Sequence, residues 1–210
     1  MEQKGQRRPG RPPAYDRDEV VEKARRLFWR EGAATVSLDS LSAATGLHKP
    51  SLYAAFGGKA GLYAAALDSY IDRGAPDVQG AFEQSPLRAA LESFFEADLD
   101  VFCAGGEGLG CFLVGTAIQA AFESPEVRSR VEAVFAGLRR LILARLERAV
   151  ADGDLAADSD LDALTEILFA THIALSIEAR SGAPRPELRE RYRRVLDFLA
   201  PRHPGEGRDP

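Results

Sequence analysis

The chain has 210 residues, of which 45% are hydrophobic and 28% charged, as is ordinary for a globular protein. It contains no uncharged apolar stretch of the roughly 18 residues that a membrane helix needs, and no apolar run follows the basic start as in a secretory signal. We therefore expect a cytoplasmic protein without membrane association. The two cysteines are too few for a disulfide framework.

The net charge of −5 is unevenly distributed. Residues 1–60 carry 11 Lys and Arg against 7 Asp and Glu, whereas the remainder carries 16 against 25. A basic front on an acidic body favours a polyanionic partner at the N-terminus, although a chance fluctuation would look similar.

Residues 1–14 are basic, rich in Gly and Pro, and have almost nothing apolar to bury, so we expect them to be disordered. They form either a solvated tail or an arm that follows a nucleic-acid backbone. Their cations are Lys4, Arg7, Arg8 and Arg11.

A first helix is predicted to begin at a cap formed by Asp16 and Glu19 and to end at Gly32. Its apolar residues recur at helical spacing and define an inner face. They are Val20, Ala24, Leu27 and Phe28.

Residues 37–59 are typical of a helix, a sharp turn and a second short helix. Ser37 is a plausible N-cap, Gly46 provides the turn, and Leu47 is expected to fill the corner. The first helix is expected to bury Leu38, Leu41 and Ala44.

Pro50 fits the first turn of the second helix, where its missing N–H costs nothing. Leu52 and Phe56 anchor this helix inward, which leaves residues 48, 49, 51 and 53–55 outside. The spacing predicts a helix-turn-helix, whose second helix enters the major groove of DNA.

The stretch from Gly10 to about Leu67 resembles the TetR family of one-component transcriptional repressors. The resemblance rests on GRPP at 10–13, the helix ending in LFWREGAATVSL, and the segment TGLHKPSLYAAFGGKAGLY. The sequence departs from the usual pattern at His48, Ala54, Ala55 and Gly58.

Side-chain chemistry and the resemblance together suggest eight residues for DNA contact. Lys59 resembles the phosphate clamp of the family, and His48 either donates to a phosphate or caps its own helix. The full set is Thr35, Ser37, His48, Lys49, Pro50, Ser51, Tyr53 and Lys59.

The rest of the chain is predicted to be helical, so that the whole is all-α with about nine helices. A fourth helix from about Ala60 to Asp72 is expected to transmit changes to the DNA-binding unit. The remaining segments are a connector at Gly74, Pro76 and Gly80, a helix opened by Pro86, a flexible break at 105–110, a helix from Cys111 to Ala121, a long helix from Pro125, and a turn at 152–160.

Residues 167–177 carry no formal charge when His172 is neutral, so this helix is expected to be buried on more than one side. Residues 187–199 carry a single apolar stripe. The resemblance implies that these two helices form a four-helix bundle with a second subunit, and the alternative is a core within one chain.

The predicted organisation is thus a disordered basic arm at 1–14, a helix-turn-helix domain at 15–60, a ligand-binding and dimerisation domain at 61–200, and a disordered tail at 201–210. The resemblance implies a homodimer on a palindromic double-stranded operator, released when a small-molecule effector of unknown identity binds a cavity. We expect no cofactor and no metal.

The expected cavity residues are bulky and polar side chains of the larger domain, each of which could instead be ordinary core. The candidates are Phe94, Phe95, Phe102, Phe112, Thr116, Gln119, Phe122, Phe135, Phe169 and His172.

The sequence leaves two alternatives to release by a small molecule. Oxidation of Cys103 or Cys111 could trigger DNA release, but no Lys, Arg or His lies between residues 89 and 127 to activate a thiol locally, which favours inert cysteines. An enzyme is disfavoured because the histidines at 48, 172 and 203 match no catalytic or metal-binding spacing.

Overall fold

The computed structural model describes residues 15–117 and 124–199, and this part of the chain forms eight α-helices and no strand. The helix expected from Cys111 to Ala121 is described only as far as Ala117, and this part contains a π-helical segment at Leu113–Ala117. The all-α prediction is confirmed. The α-helices are α1 (Arg17–Glu31), α2 (Leu38–Thr45), α3 (Lys49–Phe56), α4 (Lys59–Glu83), α5 (Leu87–Phe102), α6 (Pro125–Asp152), α7 (Leu161–Arg180) and α8 (Arg185–Leu199). No α-helix in these ranges is long and apolar enough to cross a membrane.

The first three helices pack as the sequence predicts, with one correction. Leu41, Leu52 and Phe56 are buried, but Ala44 is exposed and Thr45 is buried in its place. Two successive steps of three residues rotate a side chain away from the starting face, whereas a step of three followed by one of four keeps it there. The Thr45 hydroxyl donates to the Leu41 carbonyl at 2.7 Å, which satisfies its buried oxygen.

Helix α4 corrects the prediction of a connector after residue 72. It continues through Gly74, Pro76 and Gly80 to Glu83 as one 25-residue helix. Proline in a helix interior loses one backbone hydrogen bond, and glycine is a weak helix former. Packing against α1, α5 and α6 outweighs these local costs. The segment 105–110 also differs from the expected flexible break, because the Leu109 and Gly110 amides both donate to the Phe102 carbonyl.

The second half of the chain encloses its core between α4, α5, α6, α7 and α8. The apolar stripe of α8 points inward at Leu188, Tyr192 and Leu196, and Tyr192 stacks on Phe95 of α5 with ring centroids 5.1 Å apart. The Glu96 carboxylate joins the same helices by accepting from Arg189 and Tyr192. The predictions for residues 1–14, 118–123 and 200–210 lie outside the described residues.

Candidate nucleic-acid interface and ligand cavity

The turn between α2 and α3 is built by local hydrogen bonds. Ser37 caps α2 by accepting from the Ser40 amide at 3.0 Å, and the Ser40 hydroxyl accepts from the Ser37 amide at 2.9 Å. Gly46 then ends α2 at φ 75°, a left-handed conformation that other residues adopt at a cost. The Ser42 hydroxyl donates to the Leu47 carbonyl at 2.7 Å, which fixes the corner. The two short helices are therefore held in one relative orientation.

Helix α3 presents an outward face that is free of bulky apolar side chains except Tyr53. His48, Lys49, Pro50 and Tyr53 are exposed, and Tyr53 retains 56% of its surface. Ser51 is half-buried. The structure therefore places five of the eight predicted contact residues together at the start and outer side of α3.

The other three predicted residues flank this face and are engaged in the chain's own bonds. The Thr35 hydroxyl donates to carbonyls at the end of α1, Ser37 is occupied as a cap, and the Lys59 ammonium donates to the Ala34 carbonyl at 3.1 Å. Lys49 likewise forms an exposed ion pair with Asp39, with 2.6 Å between Nζ and Oδ1.

His48 occupies the N-cap position of α3 without a side-chain capping bond. Of the two roles predicted for it, the structure therefore does not contain the cap. Sequence reasoning missed Arg17, which donates to the Ala55 carbonyl at 3.1 Å and lies over the Phe56 ring at 4.4 Å. This arginine caps the C-terminal end of α3 from α1, and no local pattern signals such a contact.

A cavity of about 560 Å³ lies in the second half of the chain, bounded by α1, α4, α5, α6 and α7. Its wall is mainly apolar, with a polar group at one side formed by Tyr70, Asp98, Cys111 and His172. The larger apolar residues of the wall are Trp29, Ile71, Val78, Val101, Phe102, Leu113, Val134, Phe135, Leu138 and Leu141.

Three of the ten predicted cavity residues line this space: Phe102, Phe135 and His172. Five others are described and do not line it, because their rings and hydroxyls point into helix contacts instead. Phe95 packs on Tyr192, Phe112 packs on Trp29 and Tyr63, and Thr116 bonds to the Tyr63 hydroxyl at 3.0 Å.

The other two of these five, Phe94 and Phe169, pack against residues that line the cavity. Phe94 stacks on His172 with ring centroids 5.8 Å apart, and Phe169 lies 5.4 Å from Phe135. The predictions for Gln119 and Phe122 fall outside the described residues. Helical spacing finds a buried side chain, but which neighbour it faces depends on how the helices cross.

The polar group of the cavity contains a buried ion pair that the sequence did not reveal. His172 Nδ1 lies 2.7 Å from Asp98 Oδ2, and both residues are at most 8% exposed. Burial lowers the pKa of His172, but the adjacent Asp98 carboxylate and a hydrogen bond with Cys111 raise it to about 10 overall. Asp98 therefore favours the imidazolium form of His172, in which both ring nitrogens carry protons, while burial raises the pKa of Asp98 itself above its usual value.

Cys111 lies beside this pair, although no cation is near it in the sequence. The Tyr70 hydroxyl donates to its sulfur at 3.3 Å. Burial and the neighbouring Cys111 raise the pKa of Tyr70 well above its usual value, so the phenol keeps its proton. At Cys103, which is half-buried, burial raises the pKa of the thiol despite Arg185 nearby. The two cysteines thus have different surroundings.

Helix α7 is connected to α1 by Arg180, at its last position. Its Nη1 atom donates to the Trp29 carbonyl at 2.9 Å and to the Leu109 carbonyl at 3.1 Å. Glu107 holds Arg30 through two bonds of 2.9 Å. The end of α1, the segment 104–110 and α7 therefore form one hydrogen-bonded joint.

Metal binding has no support in residues 15–117 and 124–199, where no three His, Cys, Asp or Glu side chains come together as ligands.

Comparisons with known proteins agree with this architecture. The family described as "Bacterial regulatory proteins, tetR family" matches residues 20–66, and "Tetracyclin repressor-like, C-terminal domain" matches residues 86–197. The HTH-type transcriptional repressor ComR of Escherichia coli (strain K12) is 34% identical over 181 residues, which are 85% of this chain and 86% of ComR.

Solved structures give the same result. A cysteine mutant of the TetR family transcriptional regulator CifR, complexed with 26-bp double-strand operator DNA, is 33% identical with a TM-score of 0.81, covering 89% of this chain and 98% of CifR. A TetR family regulator from Agrobacterium tumefaciens shares the fold, with a TM-score of 0.78 at 21% identity over 87% of this chain and 96% of its own. The chain belongs to the TetR family of DNA-binding transcriptional regulators, whose members are not enzymes.

Substitution of Arg180 by Met tests the joint between α7 and α1. We expect the free energy of unfolding to fall by about 1–3 kcal/mol, because two backbone carbonyls lose a charged donor. Urea unfolding at fixed protein concentration measures the change. The control is Arg191→Met, which removes an exposed ion pair with Glu178 and should cost well under about 1 kcal/mol. Equal losses in the two variants would contradict a structural role for Arg180.

Proposed function

We propose that the protein is a homodimeric repressor that binds a near-palindromic operator and leaves it when a small molecule enters the cavity. The observation that carries this proposal is the joint at Arg180, which connects the wall of a large cavity with the helix that supports the helix-turn-helix. The CifR structure is a complex with operator DNA, and ComR is a transcriptional repressor. Both support the assignment.

The exposed face of α3 favours recognition of DNA through its major groove. Lys49 can contact a phosphate or a guanine edge, Ser51 a phosphate or a base, and Tyr53 the backbone. Lys59, Thr35 and Ser37 would then bind flanking phosphates. Ala54 and Ala55 offer only methyl contacts, such as to thymine, so one copy of α3 reads little sequence.

The distribution of basic residues also favours DNA binding on the side of the N-terminal helices. Within residues 15–60 the chain carries 7 Lys and Arg against 6 Asp and Glu, so most of the basic excess of the first 60 residues lies in residues 1–14. We propose that Lys4, Arg7, Arg8 and Arg11 add phosphate contacts beside those of α3. We also propose that residues 15–60 form the DNA-binding domain and that residues 61–200 form the ligand-binding and dimerisation domain.

The dimer is supported by an apolar stripe on the outside of α7. Ile167, Ala170, Ala174 and Ile177 are all exposed and follow one another at steps of three, four and three residues. This spacing is the seam of two packed helices, with small residues between large ones. Phe198 on α8 is also 82% exposed. A second copy of α7 and α8 would cover these residues and hold two α3 helices about one DNA turn (~35 Å) apart.

Release by an effector requires that DNA and ligand prefer different conformations of the dimer, so that each weakens the binding of the other. The cavity borders α4, which begins at Lys59 beside the DNA-binding face, and α7, which ends at Arg180 beside α1. A ligand that changes the position of either helix would therefore change the orientation of α3.

A second candidate is supported by the surroundings of Cys111. Its sulfur accepts a hydrogen bond from Tyr70, lies beside His172 and lines the cavity, so a peroxide that enters could oxidise the thiol to a sulfenic acid while being reduced to water. The added oxygen would disturb the joint, because the Cys111 amide is held by the Ser176 hydroxyl of α7 at 2.8 Å.

DNA binding is tested by substitutions at α3 and α4. We expect Lys59→Ala to weaken binding to every sequence and to reduce the salt dependence by about one phosphate contact. Ser51→Ala should also change sequence preference, measured by selection from random DNA. Arg140→Ala on α6 removes an equal charge as the control. Unchanged affinity for the selected operator in both variants would show that α3 is not the recognition helix.

The dimer is tested by placing a charge in the stripe of α7. Ile177→Glu should give a monomer by light scattering, since two carboxylates would be buried without partners at the seam. Affinity for an operator with two half-sites should fall by at least about a hundredfold, because the benefit of linked binding is lost. Ala157→Glu, in the exposed turn before α7, adds the same charge and should remain dimeric. A dimeric Ile177→Glu would place the interface elsewhere.

The thiol trigger is tested with mild peroxide on the native protein. If the trigger is oxidation of Cys111, treatment lowers operator affinity in the native protein and in Cys103→Ser, but leaves Cys111→Ser unaffected. Mass spectrometry checks that one oxygen is added at Cys111. If operator affinity does not change although the oxygen has been added, the thiol trigger is wrong and the effector mechanism remains.

A further inference from the structure

Two side chains of the cavity that can donate hydrogen bonds adjoin one sulfur atom. The Tyr70 hydroxyl donates to Cys111 Sγ at 3.3 Å, and the His172 ring, whose Nδ1 atom is paired with Asp98, lies beside Cys111. Both donors line the cavity together with the sulfur. They are fixed by their packing, since Tyr70 contacts Trp29 and Phe112, and His172 stacks on Phe94.

Sulfur is a weak acceptor of hydrogen bonds, so Tyr70 and His172 gain little from Cys111 as a partner. A carbonyl oxygen has two lone pairs and accepts more strongly, and in an apolar surrounding the difference is larger than in water. A ligand with such an oxygen at this point would therefore gain bonds that the unliganded protein makes only weakly.

The charges around the cavity favour a neutral ligand. Asp98 and His172 neutralise each other inside. Arg25 and Arg73 lie on the wall, but each pairs with Glu22, through contacts of 2.8 and 3.0 Å. Of the two further acidic residues of the wall, Asp100 pairs with Arg185 at 2.6 Å and Asp77 is exposed to solvent. An anionic ligand would have to compete with a carboxylate that both arginines already share, and a cationic one would approach the imidazolium.

We propose that the cavity binds a neutral, largely apolar molecule that carries one carbonyl oxygen, which accepts hydrogen bonds from Tyr70 and His172 in place of Cys111. This inference rests on the proposed function, because it assumes that the cavity is the effector site. A volume of about 560 Å³ lies within the usual range for sites of small organic ligands.

The test uses two fluorescent probes that differ only at the carbonyl. One is a dialkylaminonaphthyl ethyl ketone, and the other is the same molecule with its carbonyl replaced by a methylene group. Titration of the full-length protein gives the ratio of the two dissociation constants. This ratio is corrected for the difference between the two probes in partitioning into an apolar solvent. After the correction, we expect the ketone to bind at least about tenfold more tightly, because one or two net hydrogen bonds provide about that much.

Two variants should change this ratio in opposite directions. Tyr70→Phe removes one donor and leaves the ring, so the preference for the ketone should fall severalfold. Cys111→Ala removes the competing acceptor, so the methylene probe leaves the donors unsatisfied and the preference should rise. Cys111→Val repeats the change with a larger side chain and controls for space. Loss of packing alone would weaken both probes similarly in every variant.

The result that overturns the proposal is an unchanged ratio in Tyr70→Phe, or a native protein that binds both probes equally. Absence of saturable binding of either probe also overturns it. Operator affinity is measured on the same samples to distinguish failure of this inference from failure of the proposed function. If the protein binds operator DNA but does not prefer the ketone, the ligand class is wrong and the proposed DNA-binding function stands. If the proposed function is wrong, the native protein itself will not bind operator DNA.

Discussion

The arrangement of the two halves of the molecule depends on how the C-terminal end of α1 is satisfied. The last carbonyls of a helix have no partner within it. Here Gly32 donates to Phe28, Thr35 to Glu31, and Arg180 to Trp29. The guanidinium also places a positive charge at the negative end of the helix dipole. An arginine 151 positions away in the chain thus completes a helix of the DNA-binding unit.

Arg180 is the last of three polar residues on one face of α7, at steps of four. His172 faces the cavity, Ser176 holds the Cys111 amide, and Arg180 holds α1. A rigid helix transmits a rotation or shift at one end to the other. In the proposed mechanism, α7 therefore connects the cavity with the DNA-binding unit in addition to α4. Glycines in the segment 104–110 allow its backbone to pack closely against the end of α7. A Cβ atom at Gly108 would lie 2.0 Å from the Ala179 carbonyl oxygen, which leaves no room for another residue.

The segment around Gly74 and Pro76 and the segment 105–110 show where local patterns mislead. Both contain residues that usually interrupt structure, yet the first continues a helix and the second packs its backbone on α7. In both cases tertiary contacts outweigh local preference, which is worth only about 1–3 kcal/mol per residue. The same reason explains the cavity. Phe94 and Phe169 are buried as their spacing indicates, but they face neighbouring helices and not the open space.

The sequence by itself determined the elements whose physics is local. Caps at Asp16 and Ser37, the left-handed turn at Gly46, and the inward anchors Leu52 and Phe56 follow from bonds and spacings within a few residues. The tertiary structure alone decided which distant groups meet. The pairing of Asp98 with His172, the placement of Cys111 against both His172 and Tyr70, and the cap from Arg180 to α1 join residues 41 to 151 positions apart. Those contacts depend on the angles and positions at which the helices cross, and the periodicity of the sequence does not indicate these.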